Sequence, residues 1–200
     1  MFMPSSRVAR IKLGELGELF QGLPTGGPTT DQSPWFRLIN IRNLESIEVQ
    51  EGNIEKVPLA LSEHNLGRHW LRKNDVLITT RTHPIRASVL SEDLERGIAG
   101  QNLAVLRPKQ GINPFYIAVL FHTHYGKKLA EPFFKSSSSI PLISIGNLRI
   151  LEIPVPSLER QQQIVRLVLA QERYEKTQQA EQAAKRQLIE LSIRQTLQEQ

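Results

Sequence analysis

From Ser157 to Gln200 the chain holds neither glycine nor proline. Ala, Gln, Glu, Lys, Arg and Leu dominate this stretch, and these residues lose least on entering a helix. Ser157-Leu158-Glu159-Arg160 supplies a start: a serine able to cap, then an acidic side chain in the first turn, where the helix dipole favours it. The pattern predicts one helix of about forty residues, roughly 60 Å long at 1.5 Å per residue. Apolar side chains recur along it at Ile164, Leu167, Val168, Tyr174, Leu188, Leu191 and Leu197, with a polar stretch between Tyr174 and Leu188. So long a helix has more surface than a small domain can cover, so its stripe is expected to meet another helix. A tail without fixed structure is the plain alternative.

The rest of the chain, residues 1–156, is long enough for one domain with a real core, since 40% of all residues are hydrophobic. Two units are therefore expected, a body over 1–156 and a helix over 157–200. The absence of cysteine excludes disulfides, Cys-ligated zinc, iron–sulfur clusters and thiol nucleophiles, and suits a reducing compartment. The opening segment has no apolar run of signal-peptide length, and the most apolar window, Phe115 to Phe121, is too short to span a membrane. A soluble cytoplasmic protein with no membrane association is expected. Lys and Arg number 25 against 20 for Asp and Glu, a net charge of +5. From Leu158 onward seven basic side chains face six acidic ones, so most of the excess sits on the body, where a phosphate-contacting surface would need it.

Along the body, Gln21–Pro28 is dense in Gly and Pro and reads as a loop. Trp35–Ile41, Ser46–Val49, Asp75–Arg81, Ala87–Leu90, Leu103–Leu106, Leu142–Ile145 and Leu151–Val155 read as strands. Pro58–Trp70 shows no clear period. Pro114–Leu129 has helical spacing, with Phe115, Val119 and His122 on one line and Asn113 as its cap. The fold class is α+β: a mixed globular body with a small twisted sheet and short helices, followed by one long C-terminal α-helix.

The order of these fragments resembles the target-recognition domain of type I restriction-modification specificity subunits. The likeness begins at Leu13–Gly22 and the Thr25-Gly26-Gly27 loop, and continues through Trp35–Leu44, which is similar to an aromatic-led family segment closing in Ile-x-Asp/Asn-Leu. Lys73-Asn74-Asp75-Val76-Leu77-Ile78 is similar to the family's Gly-Asp-Ile-Leu-Ile strand, and Gln101–Pro108 follows it. Ser137–Ile140, Pro141, Ile143-Ser144 and Leu151–Pro156 then run into Glu159-Arg160-Gln161-Gln162-Gln163-Ile164-Val165, where the family has a Pro-Pro-Leu-x-Glu-Gln-x-x-Ile-Val helix start. Here Ser157 replaces the second proline and the Glu-Gln pair reads Arg160-Gln161. Family members usually hold two recognition domains and two helices, and this chain looks like half of such a subunit.

The resemblance implies a non-catalytic subunit that reads double-stranded DNA and directs a methyltransferase subunit, with a restriction subunit, to a bipartite site. Two copies paired through antiparallel C-terminal helices would read a split palindrome. Base reading needs Arg, Lys, Asn or Gln at base edges. The foremost candidates are Thr80, Arg81, Thr82, His83 and Arg86, a strand end opening into a loop; a solvated hairpin loop is the alternative. Lys135, Ser136 and Ser137 form a second candidate patch, or else a serine-rich connector. Gln101 and Asn102 suit adenine, though their place before a strand also fits a structural role. Lys73 belongs to a basic run with Arg68, His69 and Arg72 that also reads as a solvated face.

No enzyme signature competes. Gly-rich loops for a nucleotide or a methyl donor, and an Asn-Pro-Pro-Tyr-like segment, are missing from the sequence. His122 and His124 are two residues apart, which on a helix puts them on different faces. No cofactor or metal is expected. A detached recognition domain of a fused restriction–methylation enzyme, and a non-catalytic coiled-coil scaffold, are the other two readings.

Overall fold

A computed structural model describes residues 8–30, 32–60, 66–134 and 141–198. The class is α+β, as expected, but the single small sheet is three. The central one has order β2-β8-β5-β6 and is antiparallel throughout, built from β2 (Gly17–Gln21), β5 (Val76–Thr79), β6 (Ala87–Val89) and β8 (Leu103–Pro108). A second has order β4-β3-β7, in which β3 (Trp35–Ile39) pairs antiparallel with β4 (Glu55–Pro58) and parallel with β7 (Gly97–Ala99). β1 (Ala9–Lys12) and β9 (Glu152–Val155) form a two-stranded ribbon. Pro154 is tolerated within β9 because only β1 flanks it among the described residues, so no second ladder needs its missing N–H.

Every residue of β5 is buried, as befits a strand with a neighbour on each side. Leu77, Leu103, Val105, Phe20, Leu44 and Leu90 pack in one apolar cluster. Phe36, Leu38, Leu59, Leu66 and Ile98 form another against the second sheet. Two glycines allow strands to approach: a Cβ on Gly17 would lie 2.0 Å from the Arg107 carbonyl oxygen, and one on Gly22 2.2 Å from that of Gly100.

Four expectations need correction. Ser46–Val49 is not a strand; it touches the edge of β6 through one isolated bridge, Glu48 to Val89, before the chain turns away. Pro114–Leu129 is not one helix but two, α1 (Pro114–His122) and α2 (His124–Ala130). Thr123 makes the break. Its hydroxyl donates to the Leu120 carbonyl at 2.6 Å and accepts from the Gly126 amide at 3.1 Å, ending one helix and capping the next. Leu142–Ile145 is not a strand either: Ser144 caps α3 (Ile145–Ile150), accepting from the Asn147 amide at 3.1 Å. β3 also stops at Ile39, because Asn40 and Asn43 close a capping box on a 3-10 turn. The Asn113 cap stands, with its side chain accepting from the Phe115 amide at 3.0 Å.

The chain divides into two compact units, residues 1–162 and 163–200. α4 (Leu158–Gln198) is 41 residues long, about 60 Å at 1.5 Å per residue. Its first turn is fastened within the first unit by Gln161, whose side chain is 1% exposed. That amide accepts from the Asn113 backbone N–H at 2.8 Å and donates to the Pro156 carbonyl at 2.8 Å. One side chain thus ties the start of α1, the end of the β9 segment and the start of α4.

Candidate nucleic-acid interface

The β5–β6 connection carries the foremost candidates. Thr79 closes the strand: its amide donates to the Arg86 carbonyl at 2.9 Å, and its hydroxyl accepts from the Arg86 amide at 2.9 Å. That clasp holds the loop ends together and leaves Arg86 half-buried. Thr80 is buried, its amide donating to the Asn102 carbonyl at 2.9 Å while its own carbonyl accepts from Ile143 at 3.0 Å. Arg81 and His83 are exposed, and the His83–Pro84 peptide is cis. The His83 ring meets Phe134 edge-on at 5.1 Å. The Thr82 hydroxyl is buried with no hydrogen-bond partner among the described residues, and Ile85 anchors the loop in the core.

These contacts bring together candidates far apart in sequence. Gln21, Thr80, Arg81, Gln101 and the 142–145 segment line one groove of about 380 Å³. Arg81 and Gln101 are the exposed long polar side chains there. Gln21 does not face outward as a reader does, because its amide donates to the backbone carbonyls of Gln101 and, at 3.0 Å, of Leu103. Asn102 is half-buried and serves the frame through its carbonyl.

Lys73 is not part of this groove. It precedes β5 while Thr80 follows it, so the strand holds them about 10 Å or more apart at about 3.3 Å per residue. Its exposed turn is fixed by the Asp93 carboxylate, which accepts the Lys73 amide at 2.8 Å. Lys135, Ser136 and Ser137 lie outside the described residues.

In the rest of the basic run, Arg68 and His69 contact the Phe20 ring and Arg72 is exposed, its backbone amide bonded to Asp75. Arg107 grips the Asp75 carboxylate with two bonds, 2.9 Å from Nε and 2.8 Å from Nη2, and also donates to the Trp70 carbonyl at 2.9 Å. Asp75 is fully buried and accepts the Arg72 amide at 2.9 Å. Burial pushes its carboxyl above the ordinary value, and the Arg107 fork opposes that. The guanidinium groups of Arg107 and Arg68 both lie over the Phe20 ring, 5.5 and 5.6 Å from its centroid. His69 meets the same ring edge-on at 5.3 Å, and burial, then the Arg68 charge, lower its pKa below 6.5.

The His122 ring is 2.9 Å from the Ala87 carbonyl, while His124 opens the next helix and is exposed. Among the described residues no group of three metal-ligating side chains occurs. Burial pushes the Tyr116 hydroxyl up to about 12, with Tyr125 adding to it; that hydroxyl donates to the Pro154 carbonyl at 2.7 Å. No described helix is long and apolar enough to cross a membrane.

The family profile of the type I restriction modification DNA specificity domain matches residues 66–191, a stretch running from the β5 frame through most of α4. The chain belongs to that family. A curated relative, the putative type I restriction enzyme MjaX specificity subunit of Methanocaldococcus jannaschii, is 26% identical over 134 residues, covering 64% of this chain and 32% of that protein. Three solved structures share the specificity-domain fold. One comes from work on complex assembly and conformational transition of the type I R-M system, with TM-score 0.62, 22% identity, and coverage of 92% of this chain and 44% of that one. The HsdS subunit from Thermoanaerobacter tengcongensis gives 0.58 and 20%, covering 87% and 39%. The Type-I restriction-modification system S subunit from M. genitalium gives 0.51 and 18%, covering 86% and 41%. This chain therefore spans less than half the length of each.

A second concave surface, on the β4-β3-β7 sheet, was not anticipated. Trp35 and Arg37 alternate outward on β3, and Lys56 joins them from β4. The Trp-x-Arg spacing on an alternating strand is the signal the sequence offers for it, and the strand and family readings of Trp35–Ile41 do not use it.

Proposed function

We propose that this chain carries the DNA-reading function of a type I restriction-modification specificity subunit. The observation that carries the reading is the convergence of Thr80, Arg81 and Gln101 on one groove in a member of this family. An exposed arginine suits a guanine edge, and an exposed glutamine suits adenine. The body, 1–156, would contact double-stranded DNA, and methyltransferase and restriction subunits would perform the chemistry, so this chain needs no catalytic group or cofactor. The cytoplasm is where such a system meets DNA.

The helix over 157–200 would join two copies. Leu167, Tyr174 and Leu188 recur one and then two heptads apart, and Leu167 is 72% and Tyr174 62% exposed. An antiparallel pair centred near Gln178 would set the Leu167–Val168 end of one copy against the Leu188–Leu191 end of the other. Two identical readers on one duplex would then select a split palindrome.

The test is co-expression with an adenine methyltransferase encoded beside this gene, followed by mapping of methylated bases. Methylation at a bipartite palindrome is expected, and Arg81→Ala should relax discrimination at one position by about 1–3 kcal/mol. Methylation that ignores sequence, or persists without this chain, overturns the reading. Light scattering that gives the mass of one chain, with and without DNA, removes the pairing of copies separately.

A further inference from the structure

We infer that the outward face of the β4-β3-β7 sheet is a phosphate-backbone contact surface, separate from the groove at Arg81. The inference rests on the DNA-reading function and adds a second place where the same duplex is held. Its basis is a pairing that a sheet ordinarily avoids. Arg37 and Lys56 are directly opposite across β3 and β4, and like charges in that position repel. On its other flank Arg37 faces Gly97, which offers no side chain to relieve it.

Neither the Arg37 nor the Lys56 side chain has a hydrogen bond or an ion pair among the described residues. The neighbouring carboxylate of Glu55 is already taken by Arg42. Arg96, beside them, donates to the Trp35 carbonyl at 2.6 Å and sits 5.1 Å from the Phe36 ring centroid. Glu95 also lines the surface, so three cations face one acid in a groove of about 480 Å³.

Trp35 closes one side and is 56% exposed. An indole N–H donates but cannot accept, which fits an oxyanion neighbour. The groove is partly open to solvent and does not enclose a small anion on all sides. A linear polyanion satisfies this geometry, since successive phosphates of a duplex can run past Trp35, Arg37 and Lys56. Binding there carries no sequence information, in contrast to the Arg81 groove.

The deciding variant is Lys56→Glu in the full chain. It replaces a cross-strand repulsion with an attraction to Arg37, so the thermal midpoint should equal or exceed that of the wild type. DNA affinity should nevertheless fall, and the slope of log affinity against log salt should be shallower by about 1 or more. The ranking of DNA sequences should not change. The neutral double variant Arg37→Gln/Lys56→Gln should give the same shallower slope, and keeps the test alive should the reversal disturb folding. A wild-type slope in folded variants overturns this surface alone, and so does a changed sequence ranking. A wild type with no salt-dependent DNA binding overturns the DNA-reading function and this inference together.

Discussion

Leu77 and Leu167 are the same side chain in opposite circumstances: the first is fully buried in β5, the second is 72% exposed on α4. The body buries most of its large apolar side chains within itself, with Leu77 enclosed among Phe20, Leu103 and Val105. Along α4, Tyr174, Ile189, Leu191 and Ile193 are each at least half exposed. Large apolar side chains at that density on a helix surface gain their energy only when another surface covers them. One unit is therefore rich in internal contacts, and the other would be stabilised by association if copies pair as proposed.

The largest effect should come from breaking the body at its buried ion pair. Asp75→Ala removes the two-bond carboxylate from the Arg107 guanidinium and leaves it, among the described residues, only the Glu18 carboxylate at 3.7 Å, at a cost of about 3 kcal/mol. Urea unfolding followed at a body tryptophan should show the loss, and an unchanged midpoint would mean the pair holds nothing. The helix should respond in the opposite way. Leu167→Lys or Leu191→Lys should leave that urea midpoint alone and weaken association of copies by about 10- to 100-fold per site, the equivalent of about 1.5–3 kcal/mol for one buried leucine. Sedimentation over a concentration series would detect it, and an undiminished association would place the contact elsewhere.

At the junction between the two, Gln161→Ala should cost about 1–3 kcal/mol, because the Asn113 N–H loses its acceptor in a buried place. Amide exchange at Asn113 should quicken before any change deep in β5. The smallest effect concerns His69. Its pKa is lowered in the folded body from 6.5, so protonation is easier in the unfolded chain. Stability from this group is present above pH 6.5 and is lost as pH falls through the lowered value. A His69→Phe body should lose less stability than the wild type between about pH 7 and pH 5, where histidine ordinarily titrates, in paired denaturation curves. Parallel curves would assign no part of the acid sensitivity to this ring.

The sequence made α4 legible because nothing in it interrupts the helix and Ser157 begins it. β5, β6, β8 and β9 could be read for a similar reason: apolar or β-branched runs with marked ends. β7 could not, since Gly97-Ile98-Ala99 owes its strand form to pairing with β3. β4 is polar at Glu55 and Lys56 and shows no alternation to detect. The break at Thr123 depends on one hydroxyl with two partners, which a helical period conceals. The candidate groove was legible by residue type and not by assembly. Arg81 and Gln101 suit base edges by chemistry, but only the hydrogen bond from Thr80 to Asn102 brings their loops together. Lys73 shows the converse, since one strand of separation suffices to place it outside that groove.

The Asp75–Arg107 clasp has a consequence for how new specificities arise. Both residues belong to the segments that make the chain recognisable as a member of its family, and both point inward. Arg81 and Gln101 stand on the outer surface beside that frame and, among the described residues, share no bond with it through their side-chain tips. Selection can therefore exchange the outward set while the clasp stays as it is, at little cost in folding. If the Arg81 groove reads DNA as proposed, exchanging those outward side chains alone should alter the sequence read and leave the fold standing.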